Sequence, residues 1–75
     1  MHKIHIYIRD CYKQTLNIKI CPNNTIKELE KIITEQIKIP SHKLLLYNDG
    51  YLDNNKTVKQ CEICRNSTIY LFVSP

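Results

Sequence analysis

The chain has 75 residues, of which 43% are hydrophobic and 24% charged, with a formal net charge of +4 at pH 7. This length suits one small domain near the lower limit for a self-sufficient core, and the composition lies outside the range of disordered proteins. No apolar run is long enough to cross a membrane and the alternating N-terminus is unlike a signal peptide, so we expect a cytoplasmic or nuclear protein.

The charge and the cysteines each allow two interpretations. The positive charge is compatible with nucleic-acid binding, but the 11 basic residues are spread among 7 acidic ones without a basic run, which favours solvated faces. The 4 cysteines are enough for two disulfides, but free thiols are the better interpretation without a secretory signal. We expect a monomer that has no nucleic-acid or membrane partner.

Two segments near the N-terminus, residues 4–9 and 15–20, alternate strictly between apolar and polar side chains. Period-two patterning with β-branched residues predicts two half-buried strands. The short link over residues 10–14 makes them an antiparallel hairpin. A bulge in this link would give Lys13 a positive φ, which costs about 1 kcal/mol.

A helix is predicted after the hairpin. Pro22 interrupts the second strand, and Thr25 and Glu28 have the spacing of a capping box, in which each side chain accepts an orphan amide of the first turn. Apolar residues then recur at helical spacing between residues 26 and 37. Pro40 ends the helical region, because the residue before a proline is pushed out of the α basin.

The rest of the chain predicts two further strands. Residues 43–47 form an apolar-rich third strand, residues 48–50 a turn, residues 57–63 a brief helical turn and residues 68–73 the last strand. The order ββαββ predicts an α+β roll, a single domain over residues 1–75 in which one sheet packs its apolar face on one helix. The residues expected in the core are Ile4, Ile6, Leu16, Ile18, Leu29, Ile33, Leu46, Ile69 and Leu71.

The predicted helix and the chain after it carry an ordered set of short motifs. They are Thr25-Ile26 with Leu29 and Ile33, Ile39-Pro40, Lys43-Leu44-Leu45-Leu46-Tyr47 with Gly50, Leu52-Asp53, Thr57-Val58, Ile63 and Ser67-Thr68-Ile69-Tyr70-Leu71. With the preceding hairpin, this set resembles ubiquitin from about residue 4 to residue 73. The resemblance implies the ubiquitin-like β-grasp roll, a mixed sheet packed on one helix, and a role in protein binding.

The departures from ubiquitin argue against conjugation. The chain ends at Pro75 without the Gly-Gly tail of a modifier, and Leu45 and Ser74 stand where ubiquitin has arginines that its activating enzyme reads. Other residues occupy most positions of its chain-forming lysines: Arg9, Gln14, Glu30, Ile32, Gln36 and Arg65. We therefore expect a non-conjugating domain like those at the N-terminus of proteasome-shuttle proteins. Pro75 is then either the true end or a boundary within a longer protein.

The resemblance also implies a binding face. Ubiquitin's exposed apolar patch maps onto Cys11, Tyr47, Gly50, Tyr70 and Phe72. Strand alternation independently places Leu45 and Tyr47, and Tyr70 and Phe72, away from the core, and exposed apolar patches usually mark interfaces. The other interpretation is that the tyrosines are cross-strand pairs that stiffen the sheet.

The partners implied by a binding face of this kind are ubiquitin-interacting helices, ubiquitin-associated domains and proteasomal receptors. The alternative function is a free-standing ubiquitin-like regulator, for example in splicing or translation, which uses another surface. In the first case the domain connects other proteins to the ubiquitin–proteasome pathway. In the second case the sheet face has no such role.

The sequence offers few groups for catalysis or metal binding. Cys61 and Cys64 form a CxxC, which is half of a zinc site or a redox pair, but no second CxxC follows, so we interpret Cys61 as a structural thiol. A metal site would need Cys21, His2 and His5 to approach Cys64. No Ser/His/Asp set, paired carboxylates or phosphate loop occurs, and we expect neither catalysis nor a cofactor.

Overall fold

The structure, a computed structural model, describes residues 2–12 and 14–75. The bulge predicted at Lys13 lies outside the described residues. The elements follow in the order β1 (Ile4–Arg9), β2 (Thr15–Ile20), α1 (Ile26–Ile37), a 3-10 helix (Ser41–Lys43), β3 (Leu44–Tyr47) and β4 (Thr68–Val73). The predicted α+β roll is confirmed, and β1, β2 and β4 have the predicted bounds.

The four strands form one mixed sheet in the order β2-β1-β4-β3. β1 pairs antiparallel with β2, from Ile4 opposite Ile20 to Arg9 opposite Thr15. β3 pairs antiparallel with β4, while β1 and β4 run parallel with Ile8 opposite Ile69. The first and last strands of the chain therefore form the centre of the sheet, and β2 and β3 form its edges.

The core lies between the inner face of the sheet and α1. All of the residues predicted for the core contribute to it. Ile6, Ile18, Leu29, Ile33, Leu46, Ile69 and Leu71 are buried, and Ile4 and Leu16 are half-buried against them. Val58 and Ile63 from the segment before β4 complete this core, so the segment is held by apolar packing although it is irregular.

Helix α1 begins as predicted and ends by a different mechanism. The Thr25 Oγ1 accepts from the Glu28 N–H at 3.1 Å, and the Glu28 carboxylate accepts from the Thr25 N–H at 2.8 Å, which confirms the capping box. At the other end, Lys38 adopts a left-handed φ of 63° and donates its N–H to the Thr34 carbonyl at 2.8 Å. The helix thus ends before Pro40 acts, at a conformation that costs a non-glycine residue about 1–2 kcal/mol.

The structure refines two predicted segments, the start of β3 and the turn before β4. β3 begins one residue later than predicted, because the Lys43 N–H donates to the Pro40 carbonyl at 3.0 Å within the 3-10 turn. Residues 57–63 form consecutive hydrogen-bonded turns, including one helical bond from the Cys61 N–H to the Thr57 carbonyl at 3.1 Å, but no regular helix. Thr57 and Gln60 cap each other reciprocally at 2.9 and 3.0 Å, but Glu62 adopts a left-handed φ of 59°, which stops helical propagation.

Candidate protein-interaction face

The outer face of β3 and β4 exposes four large apolar side chains, which we call the aromatic face. Two cross-strand pairs compose it, Leu45 opposite Phe72 and Tyr47 opposite Tyr70. Their exposed fractions are 43% and 44% for the first pair, and 38% and 47% for the second. Alternation along the strands turns the intervening residues into the core, so the predicted outward orientation of all four side chains is confirmed.

A fifth side chain, and fourth ring, which the sequence patterns did not predict, extends the aromatic face. Tyr51 is 69% exposed and meets Tyr47 edge-on, with the ring centroids 5.4 Å apart at an interplanar angle of 83°. An isolated bridge between the two tyrosines and a bond from the Leu52 N–H to the Leu46 carbonyl at 2.9 Å hold it there. The signal available in the sequence was the tight turn at residues 48–50, which returns the chain along β3.

Gly50 lies in that turn and positions Tyr51. Its φ of +129° is a conformation that side chains disfavour, although a Cβ there would meet no atom within 4 Å. Asp49 beside it has a φ of 58°, and the Asn48 N–H closes the turn on the Gly50 carbonyl at 2.9 Å. Glycine is therefore required by backbone geometry, and its predicted place in the patch reflects the turn more than a contact surface.

Cys11 is exposed and carries a free thiol. It follows the end of β1 by two residues, and the parallel register pairs Arg9 with Tyr70. Cys11 therefore lies at the same end of the sheet as Phe72. Its side chain lines a pocket with Leu16, Ile37 and Leu71, which lie on the side of α1. The predicted membership of Cys11 in the patch therefore stays a prediction.

The outer surface of β1 and β2 is polar where that of β3 and β4 is apolar. His5 and Tyr7 contact each other with ring centroids 4.8 Å apart, and the His5 Nε2 lies 3.2 Å from the Asn17 Oδ1. Arg9 stands between Thr15 and Tyr70 in the register. A partner on the aromatic face would thus meet a cation and hydrogen-bonding groups along one border, as at the polar rim of known interfaces.

The residues that a metal site at the CxxC would need lie on different parts of the structure. Across residues 2–12 and 14–75, no group of three or more metal-ligating side chains is arranged to hold an ion. His2 and Cys21 line the same cleft as Cys64, whereas His5 bonds to Asn17 on the outer face. The residues that a metal site would need are therefore only partly brought together.

Cys61 is half-buried against the core, in agreement with a structural thiol. Burial raises the pKa of the Cys61 thiol, and Lys56 opposes this shift. A raised pKa lowers the fraction of thiolate, the nucleophilic form. Cys64 is exposed, and its Sγ contacts the Glu62 carbonyl at 3.7 Å.

Comparison with known families agrees with this fold. No curated protein matches the chain significantly. Separately, no helix of the described residues has the length and apolar character needed to cross a bilayer. The family model described as "Ubiquitin-2 like Rad60 SUMO-like" matches residues 4–73, which covers all four strands and the helix. Domains of this type are generally non-catalytic and have protein-interaction or modifier-like roles. The chain belongs to the Rad60 SUMO-like family of ubiquitin-like domains.

Proposed function

We propose that this domain binds other proteins non-covalently through the aromatic face and is not itself conjugated. Its partners are ubiquitin-interacting helices, ubiquitin-associated domains or proteasomal receptors in the cytoplasm or nucleus. The observation that carries the proposal is the pairing of Leu45 with Phe72 and of Tyr47 with Tyr70, four large apolar side chains on one ladder with 38–47% of their surface in water. Contiguous apolar surface of this kind is typical of interaction sites.

The geometry of the aromatic face suits a helical partner. Adjacent strands lie about 4.8 Å apart, so the two pairs and Tyr51 form a shallow surface two strands wide. An amphipathic helix presents apolar side chains at a spacing of three and four residues along one stripe, which matches a surface of this width. Aromatic side chains supply much of the binding energy at interfaces because they bury a large area with few rotatable bonds.

The absence of conjugation is the second part of the proposal. Its support is Leu45, which stands at a position where ubiquitin has an arginine that its activating enzyme reads. Leu45 belongs to the aromatic face, so an apolar contact replaces a charged one at that position. Incubation with ubiquitin- and SUMO-activating enzymes tests this part, and formation of a thioester on either enzyme would contradict it.

A titration followed by NMR tests the binding. The isotope-labelled chain is titrated with a ubiquitin-interacting helix and with a ubiquitin-associated domain. We expect shifts centred on Leu45, Tyr47, Tyr70 and Phe72, and more than tenfold weaker binding for the Tyr47→Ala/Phe72→Ala variant. Shifts elsewhere, or none at millimolar peptide, would exclude the proposal.

Tyr12→Ala is the matched control for this titration. Tyr12 is 82% exposed, more than any ring of the aromatic face, but lies on the β1–β2 turn outside the β3–β4 ladder. If binding depends on the aromatic face, this variant retains the wild-type affinity. An equal loss in both variants would mean that any exposed ring suffices, against a specific face.

The edge of β2 favours a second candidate function. Within the described part of the chain, Thr15–Ile20 pairs on one side only, with β1. An unpaired edge is a template for an added strand, so a free-standing regulator could bind an extended segment there. Shifts confined to residues 15–20 during the same titration, with the aromatic face unchanged, would favour this alternative.

A further inference from the structure

A cleft of about 500 Å³ lies at the end of the sheet where β1 begins and β2 ends. It shares no residue with the aromatic face. Ile4, Cys21, Pro22 and Ile63 contribute apolar surface to its floor, and Ile63 is only 4% exposed. The cleft is therefore wide enough for a side chain of another protein, and its floor favours an apolar one.

The rim of the cleft is positively charged. Lys59 and Arg65 are exposed there, with His2 beside them, and Glu62 is the one acidic residue of the lining. Within residues 2–12 and 14–75, neither Lys59 nor Arg65 takes part in an ion pair. Their charges are therefore available to an anionic group of a partner, at no cost in broken internal pairs.

Backbone hydrogen bonds hold the walls of the cleft in place. The Lys59 N–H donates to the Pro22 carbonyl at 2.9 Å, which ties the turn segment to the end of β2. The Asn66 N–H donates to the His5 carbonyl at 2.7 Å, which ties the loop after Cys64 to β1. Asn66 has a left-handed φ of 68°. A site with fixed walls loses little freedom on binding, which favours affinity.

We propose that this cleft binds an acidic peptide segment of a partner protein. An apolar side chain of the segment enters above Ile4, Pro22 and Ile63, and carboxylates flanking it meet Lys59 and Arg65. Charge complementarity selects the acidic segment, and the apolar floor selects a peptide over a nucleic acid, whose phosphates would leave that floor uncovered. The proposal is independent of the aromatic face.

The test uses the labelled 75-residue chain and the blocked peptide acetyl-Glu-Glu-Leu-Glu-Glu-amide. We expect amide shifts at Ile4, Ile63 and Arg65, with the aromatic face unchanged. The Lys59→Glu/Arg65→Glu variant should bind about tenfold more weakly, because each exposed pair becomes a repulsion. The Lys27→Glu/Lys31→Glu variant has the same charge change on α1, away from the cleft, and should lose less than about twofold by the screening of distant charges.

Four outcomes would overturn the proposal. The first is an equal loss in the two charge-reversal variants, which indicates non-specific attraction. The second is undiminished binding of the peptide with Ser in place of Leu, which shows that the apolar floor is unused. The third is tighter binding of a single-stranded oligonucleotide of equal charge at the same residues. The last is a peptide that shifts only the aromatic face or nothing at millimolar concentration.

Discussion

The two faces of the β3–β4 ladder carry similar side chains in opposite environments. Leu46 and Leu71 are each 3% exposed, whereas Leu45 and Phe72 beside them are 43% and 44% exposed. The difference arises because α1 covers the inner face alone. Apolar composition alone therefore does not distinguish a surface buried in the core from a surface available for binding. The distinction depends on which face α1 covers.

The largest expected effect comes from shortening an inner residue. Leu71→Ala removes a buried side chain and leaves a cavity, so we expect the free energy of unfolding to fall by about 2–5 kcal/mol. Urea denaturation followed by circular dichroism measures it. A loss below about 1 kcal/mol would mean that the inner face is less tightly packed than its burial indicates.

Phe72→Ala at the neighbouring outer position should behave in the opposite way. Only a half-exposed cross-strand contact with Leu45 is lost, so we expect a fall below about 1 kcal/mol in unfolding free energy. Affinity for a ubiquitin-interacting helix should fall at least tenfold in the same preparation. If stability and affinity change together in both Leu71→Ala and Phe72→Ala, the inner face does not serve folding alone and the outer face does not serve binding alone, which contradicts the proposal.

Lys38→Gly changes stability without touching either face. Glycine adopts the left-handed conformation of Lys38 without strain, so we expect the variant to be about 1 kcal/mol more stable. The affinities for the ubiquitin-interacting helix and for the acidic peptide should both stay at the wild-type level. Lys31→Gly is the control in the middle of α1, where the same change should cost about 1 kcal/mol.

The smallest expected effect is a pH dependence of the unfolding free energy that arises from Glu28 at the start of α1. The hydrogen bonds from the Thr25 backbone and side chain lower the pKa of Glu28 below its ordinary value of 4.5. A lowered folded-state pKa contributes stability above about pH 4.5, and this contribution is lost as the pH falls through the folded-state value. Glu28→Gln retains a capping side chain without the charge.

Urea denaturation of the wild type and Glu28→Gln between pH 7 and pH 3 isolates this contribution. We expect the wild type to be slightly more stable at pH 7, with the difference shrinking below the ordinary pKa of 4.5. Glu30 contributes in the opposite direction in both proteins, because burial raises its pKa. A difference that grows on acidification would mean that the Glu28 carboxylate is not stabilised by the cap.

Local patterns were sufficient for the elements with a strong period or a side-chain cap. Alternation predicted the bounds of β1 and β2, and the spacing of Thr25 and Glu28 predicted the start of α1. The end of α1 was less predictable, because Lys38 adopts a conformation that its side chain disfavours. A left-handed helix end usually has glycine or asparagine, so a lysine at this position does not mark it by residue type.

The sequence predicted the orientation of the side chains in the candidate site but not the full extent of the site. Strand alternation alone predicted that Tyr47 and Phe72 point outward. Tyr51 joins them through a bridge to Tyr47, which depends on the course of the chain after the turn. The cleft could not be predicted from spacing, because it joins residues that are far apart along the chain. His2 and Cys64 meet there through the parallel pairing of β1 and β4, a long-range contact without a local signature.

The central pairing of β1 with β4 also sets the order of events during synthesis on the ribosome. β1, β2 and α1 emerge first, but within the described part of the chain β3 pairs with the sheet through β4 alone. Because a domain cannot complete long-range pairings before their second strand is made, nascent chains that end before Thr68 hold a β3 without a partner strand. The apolar side chains of that strand then lack their packing against β4 until Val73 has left the exit tunnel.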